Sequence, residues 1–269
     1  MANMIPFSAI RPAKDDVEIA ATWGASEVEV KLKEGKLKQV DDPAYYVYRM
    51  VAKYKTYVAV IAAADVKEYV SHVIKGHQDS DQSACAKLTA EIKDTKVQTV
   101  PAIIAYKDQD YIKTMENKYQ LDKEPLYDFT VNGVQHTVYE VDNSAQRANY
   151  EDAFAGTTDY TIVGNEEAAS AAAEAGCDKF LAMLIPYGQI EEGDMPPYFD
   201  GLFRMFTDER AAKKWDRFSS RDGFVDCELE ENVAMMTLDN VKEFGMIPPS
   251  NGVKDSTVIV YKDSELPTK

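Results

Sequence analysis

The sequence AYYVYRMV at 44–51, followed after AKYKT by YVAVIAA at 57–63, decides the fold class. Both stretches are rich in β-branched and aromatic residues, and the five residues between them are polar enough to form a short turn. This pattern predicts a β-hairpin. A second hairpin is predicted for 125–131 and 134–141, because Asn132 and Gly133 between them both tolerate the positive φ angles of a tight turn.

The spacing of apolar residues changes after Asp65, a residue type that often caps a helix. From there to Gly76 the apolar residues recur at helical spacing, which predicts one helix with a single buried face: Val66, Tyr69, Val70, Val73 and Ile74. An Ala-rich helix is predicted after the strand TDYTIVG at 158–164, with Asn165 as its N-cap and Gly176 as its stop.

Other segments predict further strands and helices, and the two types interleave. Helices are expected at 81–94, 108–119 and 143–155, with helical patterning in 198–217, and strands at 97–106, 179–186, 232–238 and 256–262. Because there is no strict βαβ rhythm, the fold class is predicted as α+β (mixed α/β), with mixed sheets and flanking helices. We expect one domain over 1–269, whose weakest seam lies near 188–200.

The composition excludes some classes of partner. Acidic residues outnumber basic ones 46 to 30, giving a net charge of −16. Nucleic acid and anionic membrane surfaces are therefore not expected as partners, because both are bound through clustered Lys and Arg. The longest apolar run, 57–64, is far shorter than the ~20 residues of a membrane helix, and no export signal is visible at the N-terminus. We expect a cytoplasmic protein.

Cysteines and acidic clusters give no pattern for a metal site. Cys85, Cys177 and Cys227 lie far apart and form no CxxC pair, which favours reduced, partly buried thiols. The acids of 191–194 and 228–231 lack the spacing of a calcium loop, so no metal is expected.

Several stretches, taken in order, resemble the domain of unknown function 1015 family, whose core is similar to the ParB/sulfiredoxin fold. They are MANMIPFSAIRPAK (1–14), DPAYYVYR (42–49), EYVSHVIKGH (68–77), YDFTVNGVQHTVYEVD (127–142), YTIVG (160–164), KFLAMLIPYGQ (179–189) and VAMMTLDNVKEFGMIPP (233–249). Proteins with that core include nucleotide-dependent kinases of free serine. The resemblance therefore implies phosphoryl transfer with ATP and Mg²⁺ as one function.

The polar motifs of the family are altered in this sequence. Where family members read Ala-Asp-Gly-His-His-Arg, only Gly164 is kept, and Asn165, Glu166 and Glu167 follow it. A helix N-terminus attracts anions, but two glutamates in its first turn repel a phosphate. Near the C-terminus the family's Pro-Pro turn is present, and Ser250 stands where the family has lysine.

Three further residues are candidates for acid/base chemistry. His77 and Ser80 remain from a second family motif whose glutamate is replaced by Gln78. His136 lies on the second strand of the Asn-Gly hairpin, where a lone histidine is more often structural than catalytic.

Two hypotheses follow from these residues. In the first, the chain is a catalytically degenerate member that needs no cofactor and acts as a binding or interaction scaffold for a protein partner or a small-molecule ligand. In the second, it is a nucleotide-dependent phosphotransferase. That enzyme would bind ATP and Mg²⁺ around Gly164, Asn165 and Ser250, and would use His77 or His136 with Ser80 in catalysis. The loss of the family's histidines, arginines and lysine favours the first hypothesis.

Overall fold

The structure, a computed structural model, describes residues 2–76, 81–190 and 195–207 and the backbone of two strands at 233–237 and 258–262. The chain divides into two units, 1–209 and 210–269. In the second unit the two described strands pair antiparallel. The expected single domain and the seam near 188–200 stay predictions.

Strands and helices are mixed along the first unit, which confirms the α+β class. Short 3-10 helical segments lie at Lys14–Thr22, Ala25–Glu27 and Tyr187–Gln189. The other elements are β1 (Met4–Ile5), β2 (Ala9–Pro12), α1 (Val28–Lys33), β3 (Leu37–Gln39), β4 (Tyr45–Ala52), β5 (Lys55–Asp65), α2 (Val66–Val70), α3 (Gln82–Thr95), β6 (Val97–Gln98), β7 (Ala102–Tyr106), α4 (Asp110–Asp122), β8 (Tyr127–Val131), β9 (Val134–Val141), α5 (Ser144–Ala155), β10 (Thr161–Gly164), α6 (Glu166–Glu174), β11 (Lys179–Pro186) and β12 (Arg204–Phe206); the second unit adds β13 (Val233–Thr237) and β14 (Val258–Lys262).

Among the described residues, eight strands form the larger sheet, in the order β10-β7-β11-β5-β4-β9-β8, with β1 pairing the end of β5. Strand β11 runs parallel to β7 and antiparallel to β5. Both hairpins are confirmed: β4 pairs with β5, and β8 joins β9 through Asn132 at φ 52° and Gly133 at φ 77°. The two hairpins therefore supply four adjacent strands of the sheet, β5-β4-β9-β8.

Both faces of the central strands of the larger sheet are buried, since alternate residues of β4 and β5 belong to different cores. Tyr45 and Val47 belong to the core that the sheet shares with α4, α5 and α6. Tyr46 and Tyr48 belong to a second core, completed by residues such as Phe7 near the N-terminus. The apolar run that predicted a strand is thus explained by burial on two sides.

A smaller sheet, in the order β3-β2-β12-β6, contains a strand where the sequence pattern predicted a helix. The prediction of helix in 198–217 is wrong over 198–207, where β12 pairs with β2 and β6; the remainder lies outside the described residues. Arg204 anchors this strand. Its buried guanidinium donates hydrogen bonds to the carbonyls of Gly201, Ala20 and Trp23, which hold β12 against the N-terminal part of the chain.

Two other elements are shorter than predicted. Asp65 does cap α2, accepting a hydrogen bond from the Lys67 amide, but the helix ends at Val70 and His72 adopts a φ of 59°. The prediction of a helix to Gly76 is wrong because the chain turns to run beside β10, where Lys75 hydrogen-bonds Tyr160 and Ile162. The strand expected at 97–106 is interrupted before Pro101 and divides into β6 and β7, which enter different sheets.

Candidate functional site

The glycine turn between β10 and α6 holds two of the predicted nucleotide-binding residues. The pairing of β10 with β7 shifts register at Gly164, and Asn165 adopts a left-handed conformation with φ 53°. Asn165 is the N-cap residue of α6, as predicted, but its side chain makes no capping hydrogen bond. Its Nδ2 instead donates to the carbonyl of Pro101 at 3.0 Å and to Oη of Tyr198 at 3.1 Å.

The first turn of α6 is acidic and is in contact with the segment that precedes His77. Glu166 and Glu167 lie in this turn. The hydroxyl of Tyr69 donates to Oε1 of Glu166 at 3.1 Å, and a Cβ on Gly76 would collide with the same carboxylate. The structure thus brings the chain at Gly76 against the start of α6. His77 itself, with Ser80 and Ser250, lies outside the described residues.

Residues 195–199, here called the covering segment, lie over the glycine turn. A Cβ on Gly164 would collide with the end of the Met195 side chain. Tyr198 accepts the hydrogen bond from Asn165, and the Phe199 amide donates to Oη of Tyr48 at 2.9 Å. The cavity left beside this segment has a volume of about 10 Å³. That is room for about one water molecule.

His136 lies in the same sheet, buried on β9 among aromatic rings. Its Nδ1 is 2.8 Å from Oη of Tyr48, and the ring centroids of Phe129 and Phe199 are 5.1 Å and 5.6 Å away. Burial lowers the pKa of His136 to about 4. Because Tyr48 accepts from the Phe199 amide, its hydroxyl hydrogen can be donated to Nδ1, which makes the imidazole neutral with its proton on Nε2.

The covering segment connects these two groups of residues. Phe199 is linked through Tyr48 to His136, and the adjacent Tyr198 is linked to Asn165. Three of the predicted site residues, His136, Gly164 and Asn165, are therefore placed around one segment. Tyr48, Met195 and Tyr198 were not predicted as site residues. The high number of tyrosines, 16 in all, was a signal for Tyr48 and Tyr198, but buried strands also explain it.

Comparison with models of protein families gives a match that covers more than half of the chain. The model of the family described as protein of unknown function (DUF1015) matches residues 5–175. The chain belongs to this family. No curated protein and no solved structure matches the chain. The matched part of this DUF1015 chain includes His136, Gly164 and Asn165 and ends before the covering segment. The ParB/sulfiredoxin-like core stays a prediction.

The polar groups of this DUF1015 site are engaged with the chain itself. Burial raises the pKa of Tyr198 to about 12 and raises that of Tyr48 further. Both phenols are therefore neutral hydrogen-bonding groups at neutral pH. In the described part of the chain, no three His, Cys, Asp or Glu side chains gather as metal ligands would, and no helix is long and apolar enough to span the membrane.

Proposed function

We propose that this chain is a DUF1015 member without catalytic turnover, which acts in the cytoplasm as a binding or interaction scaffold. The observation that carries the proposal is the packing of residues 195–199 over the Gly164 turn. Met195 fills the space beside Gly164, and Tyr198 engages the Asn165 amide. A phosphate would have to displace these contacts before it could reach the start of α6.

The charge at the start of α6 supports the same proposal. The N-terminus of a helix binds phosphate through its free amides and its dipole. Glu166 and Glu167 place two carboxylates at that position. They stabilise the helix by ~0.3–1 kcal/mol each and repel a phosphate dianion. The glycine turn is thus suited to hold a helix in place and poorly suited to hold a nucleotide.

The alternative hypothesis, a phosphotransferase with ATP and Mg²⁺, receives less support from His136. An acid/base residue works best when its pKa is near the working pH. The pKa of His136 is about 4, and its Nδ1 is hydrogen-bonded to Tyr48. The roles proposed for His77, Ser80 and Ser250 stay predictions, as those residues lie outside the described part.

A thermal-shift series with ATP, ADP and free serine, each with and without Mg²⁺, tests the proposal. A ligand at 100 times its Kd stabilises the folded state by ~2.7 kcal/mol, which raises the Tm of a domain of this size by roughly 5–10 °C. We expect no such shift with any of these ligands. A shift that requires both nucleotide and Mg²⁺ would contradict the proposal and favour the phosphotransferase.

The variant Met195→Ala, measured in the same thermal-shift series, tests the role of the covering segment. It removes the side chain that lies beside Gly164 and leaves the Asn165–Tyr198 hydrogen bond in place. We expect it to show no nucleotide shift, because Glu166 and Glu167 remain. If nucleotide raises the Tm of the variant and not that of the natural chain, the covering segment is what keeps nucleotide from the natural chain. Mg²⁺ without nucleotide corrects for any effect of the ion itself.

A further inference from the structure

A carboxyl group lies in the buried stripe of α4. Ile112, Glu116 and Tyr119 recur at the spacing of one helical face, and all three are buried, with Glu116 only 2% exposed. Glutamate is almost never fully buried unless it is paired, because removing a polar group from water is costly when no hydrogen bond replaces the lost solvation. A residue at this position therefore needs a polar partner inside the protein.

In the described part of the chain, Glu116 and two tyrosines of the same core each have a buried polar atom without a hydrogen-bond partner. They are Oε1 of Glu116 on α4, the hydroxyl of Tyr106 on β7 and the hydroxyl of Tyr150 on α5. Both tyrosines are completely buried. Tyr106 and Tyr150 belong to the same core as Ile112 and Tyr119, the buried residues on either side of Glu116 in α4.

Other tyrosines of the same core have their hydroxyl groups satisfied. Tyr45 donates to the Met4 carbonyl, Tyr119 to Gln146 and Tyr160 to the Phe154 carbonyl. Unpartnered hydroxyls are thus not a general property of this core. They occur at Tyr106 and Tyr150, the tyrosines that lie near the buried carboxyl.

We propose that Glu116, Tyr106 and Tyr150 form an internal polar site that binds one water molecule, with Glu116 in its protonated form. The three atoms come from three different elements and make no hydrogen bond to one another. A water molecule typically makes about three hydrogen bonds in a buried site and can bridge polar atoms that do not bond one another directly. It would connect β7, α4 and α5 at one point.

The protonation of Glu116 follows from its surroundings. Burial raises its pKa to about 8, and the opposing effect of Lys113 on the same helix is smaller. The other titratable groups near it, Tyr106 and Tyr150, are neutral at neutral pH. A protonated carboxyl has one donor as well as its acceptors, so it can hydrogen-bond a water whichever way the phenols are oriented.

Infrared and NMR measurements on the natural chain test the site directly. We expect the infrared band of a protonated carboxyl at neutral pH, absent in Glu116→Gln and kept in the control Asp122→Asn, whose carboxyl is exposed on the same helix. We also expect magnetisation transfer from a long-lived water to the ring protons of Tyr106 and Tyr150. Absence of the carboxyl band, or of transfer from water, in the natural chain overturns the proposal, even if no variant folds.

The tyrosine variants provide a second measurement. We expect Tyr106→Phe and Tyr150→Phe each to weaken or abolish the water signal, whereas Tyr111→Phe, with an exposed ring, leaves it unchanged. The Tm of the natural chain should also fall more between slightly acidic and alkaline pH than that of Glu116→Gln. The reason is that the raised pKa makes the folded state lose stability as Glu116 ionises. A water signal that survives both Phe substitutions overturns the proposal.

Discussion

On β9, the imidazole of His136 lies between aromatic rings and is hydrogen-bonded by Tyr48. In the sequence it stands between Gln135 and Thr137, and nothing local distinguishes a catalytic from a structural histidine. The distinction depends on Tyr48 and Phe199, which are distant along the chain. A catalytic role for His136 stays a prediction, and its burial has a consequence for stability that can be measured.

The contribution of His136 to the stability of the fold should decrease as the pH is lowered. Its pKa is about 4 in the folded state. An unfolded histidine has a pKa of ~6.5, so the unfolded chain binds more protons between these values and stability is lost as pH falls through them. From about pH 7 to about pH 5 we expect this residue to lower the free energy of unfolding by about 2 kcal/mol. Urea unfolding of the natural chain and of His136→Gln at both pH values measures this contribution as a difference.

The variant His136→Gln should remove most of this loss, since glutamine does not titrate. The control is His72→Gln, which replaces an exposed histidine. Carboxylates also titrate in this range, so the comparison is the difference between each variant and the natural chain. Equal pH dependence of His136→Gln and the natural chain would contradict a buried, neutral His136.

Asn165 shows why residue roles were harder to predict than residue positions. An asparagine before an Ala-rich helix is a common N-cap, and the helix does begin at the next residue. Its amide, however, is engaged by Pro101 and Tyr198, which lie 64 and 33 residues away. Local sequence contains no information on such partners, so the helix start was predictable and the hydrogen bonds were not.

At the scale of elements, local signals gave correct predictions where local interactions decide the structure. The Asn132-Gly133 turn and the Asp65 cap depend on neighbouring residues, and both are present. The helix predicted in 198–217 fails over 198–207 because β12 is formed by pairing with β2 and β6. Their residues are at least a hundred positions away, and no local pattern reports them.

The turn before β12 provides a test of how this element is held. Gly201 has a φ of +81°, and a Cβ there would collide with the backbone carbonyl of Ala20. We expect Gly201→Ala to lower the free energy of unfolding by about 3 kcal/mol, because the left-handed conformation and the collision both cost energy. Denaturant unfolding measures the change.

Gly35→Ala is the matched control. Gly35 also has a positive φ, of +70°, but faces open space. Gly35→Ala should therefore lower the free energy of unfolding only by the cost of the left-handed conformation, about 1 kcal/mol. If the two variants lose the same stability, the close contact between Gly201 and Ala20 does not exist in solution.

At the scale of the molecule, the net charge of −16 makes the stability of the fold depend on salt concentration. Self-repulsion of like charges destabilises the compact state, and salt screens it with a Debye length of ~10 Å at 0.1 M. We expect the Tm to rise by several degrees when NaCl is increased from about 0.02 M to about 0.5 M. Sucrose at matched osmolality separates screening from exclusion effects. A Tm that is flat or falls with NaCl would show that repulsion is not significant.

Strand β11 has a consequence for how the chain emerges during synthesis. Among the described strands of the larger sheet it is the last in sequence, and it joins the β10–β7 pair to the group β5-β4-β9-β8. Until residue 186 has left the ribosome, β7 and β5 both present open edges, which can recruit strands of other molecules. The family match ends at residue 175, before β11. We expect a fragment that ends at residue 175 to keep both open edges and to aggregate.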